Sequence, residues 1–217
     1  MSNELLKRIF SSIVLIPIIF FSIIKGEFYF NILLIVLISF ALYEWDKLVN
    51  QKIIKTTGFG FIFFVFILSF FLRNNYNPEI FLFLILICVS TDLGGYIFGK
   101  ILKGPKLSKV SPNKTYSGMI GSYILSLLSG YFFLKLKIFE KTDEFLFELN
   151  NLEFVILIII ISSISQVGDL IISYFKRLAK VKNTGNLLPG HGGILDRIDG
   201  LIFAVPIFYL LILVLKV

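Results

Sequence analysis

The sequence predicts an all-α protein, a polytopic integral membrane helical bundle of about seven transmembrane helices with its N-terminus in the cytoplasm. Three observations predict it. The 217 residues are 57% hydrophobic and only 16% charged, with 25 Phe and a mean hydropathy of +0.89. A water-soluble fold of that composition would expose more apolar surface than soluble monomers carry. Apolar windows of spanning length recur along the chain, and Lys and Arg are segregated between the segments that separate them.

The spans are expected at about 9–24, 28–43, 58–72, 80–98, 117–134, 154–175 and 200–215. The first apolar run follows Lys7 and Arg8 as a signal peptide would, yet no small-residue cleavage site follows, so it reads as a retained helix. The long polar connections are 99–116, 135–153 and 176–199. The length fits one integral membrane domain, 1–217, with N-terminal helices over 1–80 and the chemistry-bearing helices and loops over 81–217. The single cysteine, Cys88, lies in an apolar run and reads as a small packed side chain.

Loops rich in Lys and Arg stay cytoplasmic. With the N-terminus inside, fifteen of the 21 basic residues fall on the inner face. The largest outer loop instead contains Glu140, Asp143, Glu144, Glu148 and Glu153. The net charge of +7 is thus explained by topology and contact with anionic lipid, without any nucleic-acid partner. This topology also puts the loops 99–116 and 176–199 on the same side, where they can build one site.

Two acids fall inside spans, Asp92 in "STDLGGYIFGK" and Asp169 in "SISQVGDLIISYFKR". An ionised aspartate in mid-bilayer costs about 2.5 to 3.5 kcal/mol on insertion scales, so such residues face a cavity, a metal or a cation. At helical spacing Ser162, Gln166, Asp169, Ser173 and Lys176 share one face, a polar stripe through an apolar helix. Asp92, Gly95 and Gly99 share another, and "SGMIGS" at 117–122 reads as a packing surface.

The loop "GKILKGPKLSKVSPNKTYSG" carries five lysines and no acid, with Ser111 and Lys114 just ahead of a helix, an arrangement that attracts anions. The stretch "NTGNLLPGHGGILDRIDG" holds the only histidine, His191, among Gly190, Gly192 and Gly193. Glycines let backbone N–H groups curl around a phosphate. Beyond it come Asp196, Arg197 and Asp199. One of these carboxylates together with Asp169 would offer Mg2+ its preferred hard oxygens, and Lys176, Arg177, Lys182 and Arg197 would neutralise phosphate charge. Asp199 read alone is equally a helix cap. No second histidine or nearby cysteine completes a zinc site, so phosphate contact is the favoured role for His191.

These residues resemble the phosphatidate cytidylyltransferase (CDP-diacylglycerol synthase) family. The likeness lies in Ser173-Tyr174-Phe175-Lys176-Arg177, four residues, Lys182, then Gly185, Leu188-Pro189, His191-Gly192-Gly193 and Asp196-Arg197-Ile198-Asp199. With "SQVGDL" ending at Leu170 and "SPNKTYSG", it covers roughly residues 86–200; the first 80 are similar only in character. One departure is Asn183, where the family usually has Asp, which keeps an oxygen but removes a charge.

The resemblance implies a Mg2+-dependent transfer of a cytidylyl group from CTP to phosphatidic acid, giving CDP-diacylglycerol and pyrophosphate. It implies metal ligands among Asp169, Asp196, Asp199 and Asp92, with a monovalent cation such as K+ beside the Mg2+. Phosphate contacts would come from Lys176, Arg177, Lys182, His191, Arg197, Gly190, Gly192 and Gly193, with Ser111, Lys114, Ser173 and Asn183 serving the same basin. It implies, further, a bacterial inner-membrane enzyme with its site on the cytoplasmic side, and a homodimer. Two other readings of the same residues are a CTP-dependent polyprenol or dolichol kinase, which would release CDP, and an ion-coupled transporter, which leaves the glycine-histidine loop without a purpose.

Overall fold

A computed structural model of the chain describes residues 3–108, 110–136, 146, 148–187 and 192–215, the side chains of 3–12 and 136 excepted. Among these residues there are seven long helices: α1 Asn3–Lys25, α2 Glu27–Leu48, α3 Lys52–Asn75, α4 Pro78–Leu102, α5 Tyr116–Leu136, α6 Asn151–Leu178 and α7 Leu195–Leu215. Six of them, α2 to α7, are long and apolar enough to cross a membrane, and α1 contributes a shorter apolar run, Ile13–Lys25. The expected bundle is therefore observed, with helices that extend past their apolar windows: α3 begins at Lys52 and α4 runs on to Leu102. Those extra turns carry polar side chains out of the span.

The solvent a helix meets decides which face is apolar. Large hydrophobic side chains such as Phe28, Phe63, Leu93, Ile101, Ile120 and Val214 point outward from the bundle, as lipid contact requires. Inside, Phe83 is the hub. Its ring packs against Phe133 of α5 at 5.3 Å, Phe154 of α6 at 5.8 Å and Phe208 of α7 at 6.3 Å between centroids. Ile80, Leu84, Ile87, Ile158, Ile161 and Ile212 fill the space around it.

Without a hydrophobic force between helices in lipid, close approach relies on small residues and on polar links. The α4–α5 pair shows both. A Cβ at Gly94 would lie 2.9 Å from the Ser122 Cα, and one at Gly118 would lie 2.7 Å from the Gly95 carbonyl oxygen. Ser122 Oγ donates to the Thr91 carbonyl at 2.7 Å, and a hydrogen bond joins the Ser90 and Ser129 hydroxyls at 2.8 Å. The packing role read for "SGMIGS" thus holds, and Gly95 and Gly99 face the same contact. Helix α6 is then attached through Thr91 Oγ1 to Ser162 Oγ, 2.9 Å, and through Tyr123 to Ser163, 2.9 Å.

At one end of the bundle the C-termini of α2, α4 and α6 meet the N-termini of α3, α5 and α7, together with residues 49–51, 103–108, 110–115, 179–187 and 192–194. Trp45 secures this end: its Nε1 donates to the Lys55 carbonyl at 3.1 Å, and its ring meets Phe175 of α6 edge-on at 4.9 Å. At the opposite end Arg73 donates to the carbonyls of Ile23 and Ile24, satisfying the last turn of α1 before the Gly26 corner.

Candidate active site

The acids expected inside spans converge. Asp169 lies on α6 one turn before Ser173, whose hydroxyl donates to its Oδ1 at 3.2 Å. Lys114, brought over by the 103–115 segment, forms an ion pair with the same carboxylate. Asp199, in the second turn of α7, is buried and comes within hydrogen-bonding reach of Asp169. Its own Oδ1 accepts from the Gly200 N–H at 2.9 Å. Asp92, from α4, lies close enough to act electrostatically on both. These carboxylates thus stand together with Lys114 and Lys176 as the nearby cations.

A cavity of about 270 Å³ opens beside this cluster between α4, α5 and α6. Asp92, Ser111, Asn113, Lys114, Gln166 and Asp169 give it its polar wall. The lysine-rich segment folds over it as a short turn: Leu107 N–H donates to the Lys114 carbonyl at 2.8 Å and Lys114 N–H to the Ser111 carbonyl at 3.0 Å. That turn places the Ser111 and Lys114 side chains in the same wall. Arg177 Nε reaches the Val110 carbonyl at 3.4 Å, holding the turn against the end of α6. A second cavity, about 260 Å³, is lined by Trp45, Phe61, Phe175, Leu195 and other side chains without a titratable group.

Asp196 takes a different place from the one expected. Its Oδ1 accepts from Lys176 Nζ at 2.8 Å, and its Oδ2 accepts from the N–H groups of Thr184 at 2.8 Å and Gly193 at 3.0 Å. Both oxygens are thereby engaged, and a metal at Asp196 would require the Lys176 ammonium to move. In this arrangement Asp196 holds Thr184 and Gly193 against the first turn of α7. Gly192 sits beside it with φ +87°, a left-handed conformation that side chains resist. A Cβ there would lie 2.8 Å from Asp196 Oδ2 and 3.4 Å from Asn183 Cβ, so Asn183 is a neighbour of this turn.

Lys182 and Arg177 are exposed, and Arg197 is within electrostatic reach of Asp92. Gly190 and His191, like Leu188 and Pro189 of the motif, lie outside the described residues.

The chief residue that the sequence reading missed is Glu44 of α2. It is only 1% exposed, and it accepts three hydrogen bonds: Thr184 Oγ1 at 2.8 Å, Ile194 N–H at 2.9 Å and Leu195 N–H at 2.9 Å. A Cβ at Gly185 or at Gly193 would lie 2.6 Å from Glu44 Oε1. Gly193 therefore makes room for a carboxylate from the N-terminal half. An available signal was its type and place: an acid in "SFALYEWDKL", two residues ahead of Asp46 and one residue beyond the apolar window ending at 43.

Fold and site together define a polytopic membrane enzyme whose polar chemistry is gathered at one end of its helix bundle. The chain belongs to the cytidylyltransferase family, whose model matches residues 6–78 and 51–215. It is 33% identical over 207 residues to the phosphatidate cytidylyltransferase of Rickettsia typhi, covering 93% of this chain and 89% of that protein. It is 35% identical over 219 residues to the phosphatidate cytidylyltransferase of Staphylococcus haemolyticus, covering 94% and 78% respectively. The protein of the same name from Brucella suis is 40% identical over 129 residues, 59% of this chain and 44% of its own.

Proposed function

We propose that the chain transfers a cytidylyl group from CTP to phosphatidic acid, giving CDP-diacylglycerol and pyrophosphate. The observation that carries this reading is the approach of Asp199 to Asp169, with Asp92 acting electrostatically on both and Lys114 and Lys176 as nearby cations, beside a cavity at the basic end of the bundle. Family membership and the names of the relatives support it.

A phosphate oxygen of phosphatidate attacks the α-phosphorus of CTP; the new P–O bond forms as the bond to pyrophosphate breaks. The nucleophile is already anionic, so no strong base is needed. The difficulty is bringing two highly negative reactants together, which positioning and charge neutralisation overcome. Lys114, paired with Asp169, and Lys176, paired with Asp196, supply part of that charge, and the exposed Arg177, Lys182 and Arg197 add to the basic field. Ser111 and Asn113 offer hydrogen bonds from the cavity wall.

The residues present fit a divalent ion. Asp169 and Asp199 are hard oxygen ligands within reach of one another, with Ser173 beside them. Among the described residues no three acidic, histidine or cysteine side chains close on one point. Mg2+ keeps waters and takes substrate phosphates alongside one or two carboxylates, so Asp169 and Asp199 would suffice to hold it. When bound, Mg2+ supplies the positive charge that polarises the transferring phosphoryl group. A monovalent cation beside it belongs to the same proposal. We place the site at the cytoplasmic leaflet, because the loops that build it carry most of the Lys and Arg; phosphatidate would keep its tails in the bilayer there while its phosphate meets CTP.

The test is incubation of membranes containing the protein with labelled CTP, phosphatidate and Mg2+, followed by lipid extraction. Labelled lipid and pyrophosphate are expected. Phosphorylated lipid with CDP would replace this reading by the lipid kinase, and nucleotide-independent ion flux in liposomes would replace it by the transporter.

A further inference from the structure

We infer that Glu44 is a positioning residue for the site, acting from the N-terminal half of the chain through Thr184 and the first turn of α7. The inference rests on the proposed function only for its activity readout. A carboxylate that is 1% exposed, among the apolar side chains of α2, needs compensation. Here the compensation comes from hydrogen-bond donors of the segment that builds the site. Ile194 and Leu195 N–H lie at a helix start, where no preceding turn accepts from them, and they donate to Oε1 and Oε2. The partial positive charge of that helix end adds to the attraction.

Thr184 is the link in the chain. Its hydroxyl donates to Glu44 Oε2 while its backbone N–H donates to Asp196 Oδ2, both at 2.8 Å. Asp196 in turn holds Lys176. The register of α7 set at residues 194 and 195 also sets where Asp199 stands one turn later, opposite Asp169. Gly185 and Gly193 leave the space that the Glu44 carboxylate occupies from either side. Trp45, the next residue, locks the same turn of α2 against α3 and Phe175. A group with purely local duty would not be wired to both the Lys176–Asp196 pair and the start of α7.

The experiment uses full-length protein in detergent or nanodiscs, as wild type, Glu44→Gln, Thr184→Val and Thr184→Ser. Glutamine keeps the shape of Glu44, but its NH2 meets an N–H or O–H donor where an oxygen stood. Hydrogen exchange of peptides spanning 183–187 and 192–197 is followed beside that of α4 and α5, with CTP- and phosphatidate-dependent turnover measured in parallel. Glu44→Gln is expected to speed exchange in those peptides roughly 10- to 100-fold, as losing charge-assisted hydrogen bonds to a buried carboxylate should, while α4 and α5 stay protected. Turnover should fall by about 100-fold in kcat/KM, the cost of ångström-scale misplacement. Thr184→Val should show a smaller loss in both, and Thr184→Ser should restore both. Wild-type exchange and turnover in Glu44→Gln would overturn the inference, as would equal loosening of every helix. If Glu44→Gln does not insert, the Thr184 pair decides: valine behaving as wild type overturns it. If wild-type protein forms no labelled lipid, the proposed function falls while the exchange measurement still decides the place of Glu44.

Discussion

Lys176 Nζ and Asp196 Oδ1 stand 2.8 Å apart, joining the last turn of α6 to the first turn of α7. Both side chains are largely buried, at 13% and 6% exposure. Removing one partner of such a pair leaves an uncompensated charge, which costs about 3 to 5 kcal/mol where burial is complete. Lys176→Met is therefore expected to lower the thermal unfolding temperature in detergent markedly and to abolish turnover. An unchanged melting curve would show that water, not the ammonium, satisfies Asp196.

Asp169 carries a separate prediction. Asp169→Asn preserves shape and the contact with Ser173 but removes the charge that faces Lys114 and Asp199. Conversion of CTP to labelled lipid is expected to fall by roughly 100- to 1,000-fold, the scale of losing one preorganised electrostatic contact in a shielded site. Membrane insertion should persist, because α6 becomes less costly to bury. Full activity in this variant would remove Asp169 from the mechanism.

Chelation separates site from scaffold. The core is apolar, built around Phe83. EDTA is expected to stop turnover while leaving helix content by circular dichroism unchanged, and added Mg2+ should restore the rate. Turnover that persists with EDTA in excess would argue against a divalent ion at Asp169 and Asp199.

Two glycines give opposite expectations. Gly60 on α3 faces open space, so Gly60→Ala should be neutral to stabilising, by up to about 1 kcal/mol from helix propensity. Gly94 lies against the α5 backbone, and Gly94→Ala must push the two helices apart, for a loss of roughly 1 to 3 kcal/mol. Thermal unfolding of the two variants against wild type checks the pair, and equal midpoints would contradict the observed α4–α5 contact.

The membrane helices were legible because insertion depends on hydropathy summed over a span, a quantity the chain carries locally. Asp169 and the stripe from Ser162 to Lys176 were legible because helical periodicity alone gathers them on one face. The structure realises that stripe: Ser162 bonds Thr91, Ser173 bonds Asp169 and Lys176 pairs with Asp196. The ends of the helices were less legible, since lysine-bearing turns such as Lys52–Thr56 and Gly99–Leu102 remain helical beyond the apolar window.

What the amino-acid order determined by itself was therefore the solvent, the long apolar helices seen among the described residues and the kinds of side chain available for chemistry. Only the tertiary structure decided how those side chains pair: Lys114 with Asp169, Asp196 with Lys176, and Glu44 with a helix start far along the chain. The physical reason is that a charge in a low-dielectric interior must find a partner, and which partner lies within about 3 Å depends on the packing of whole helices.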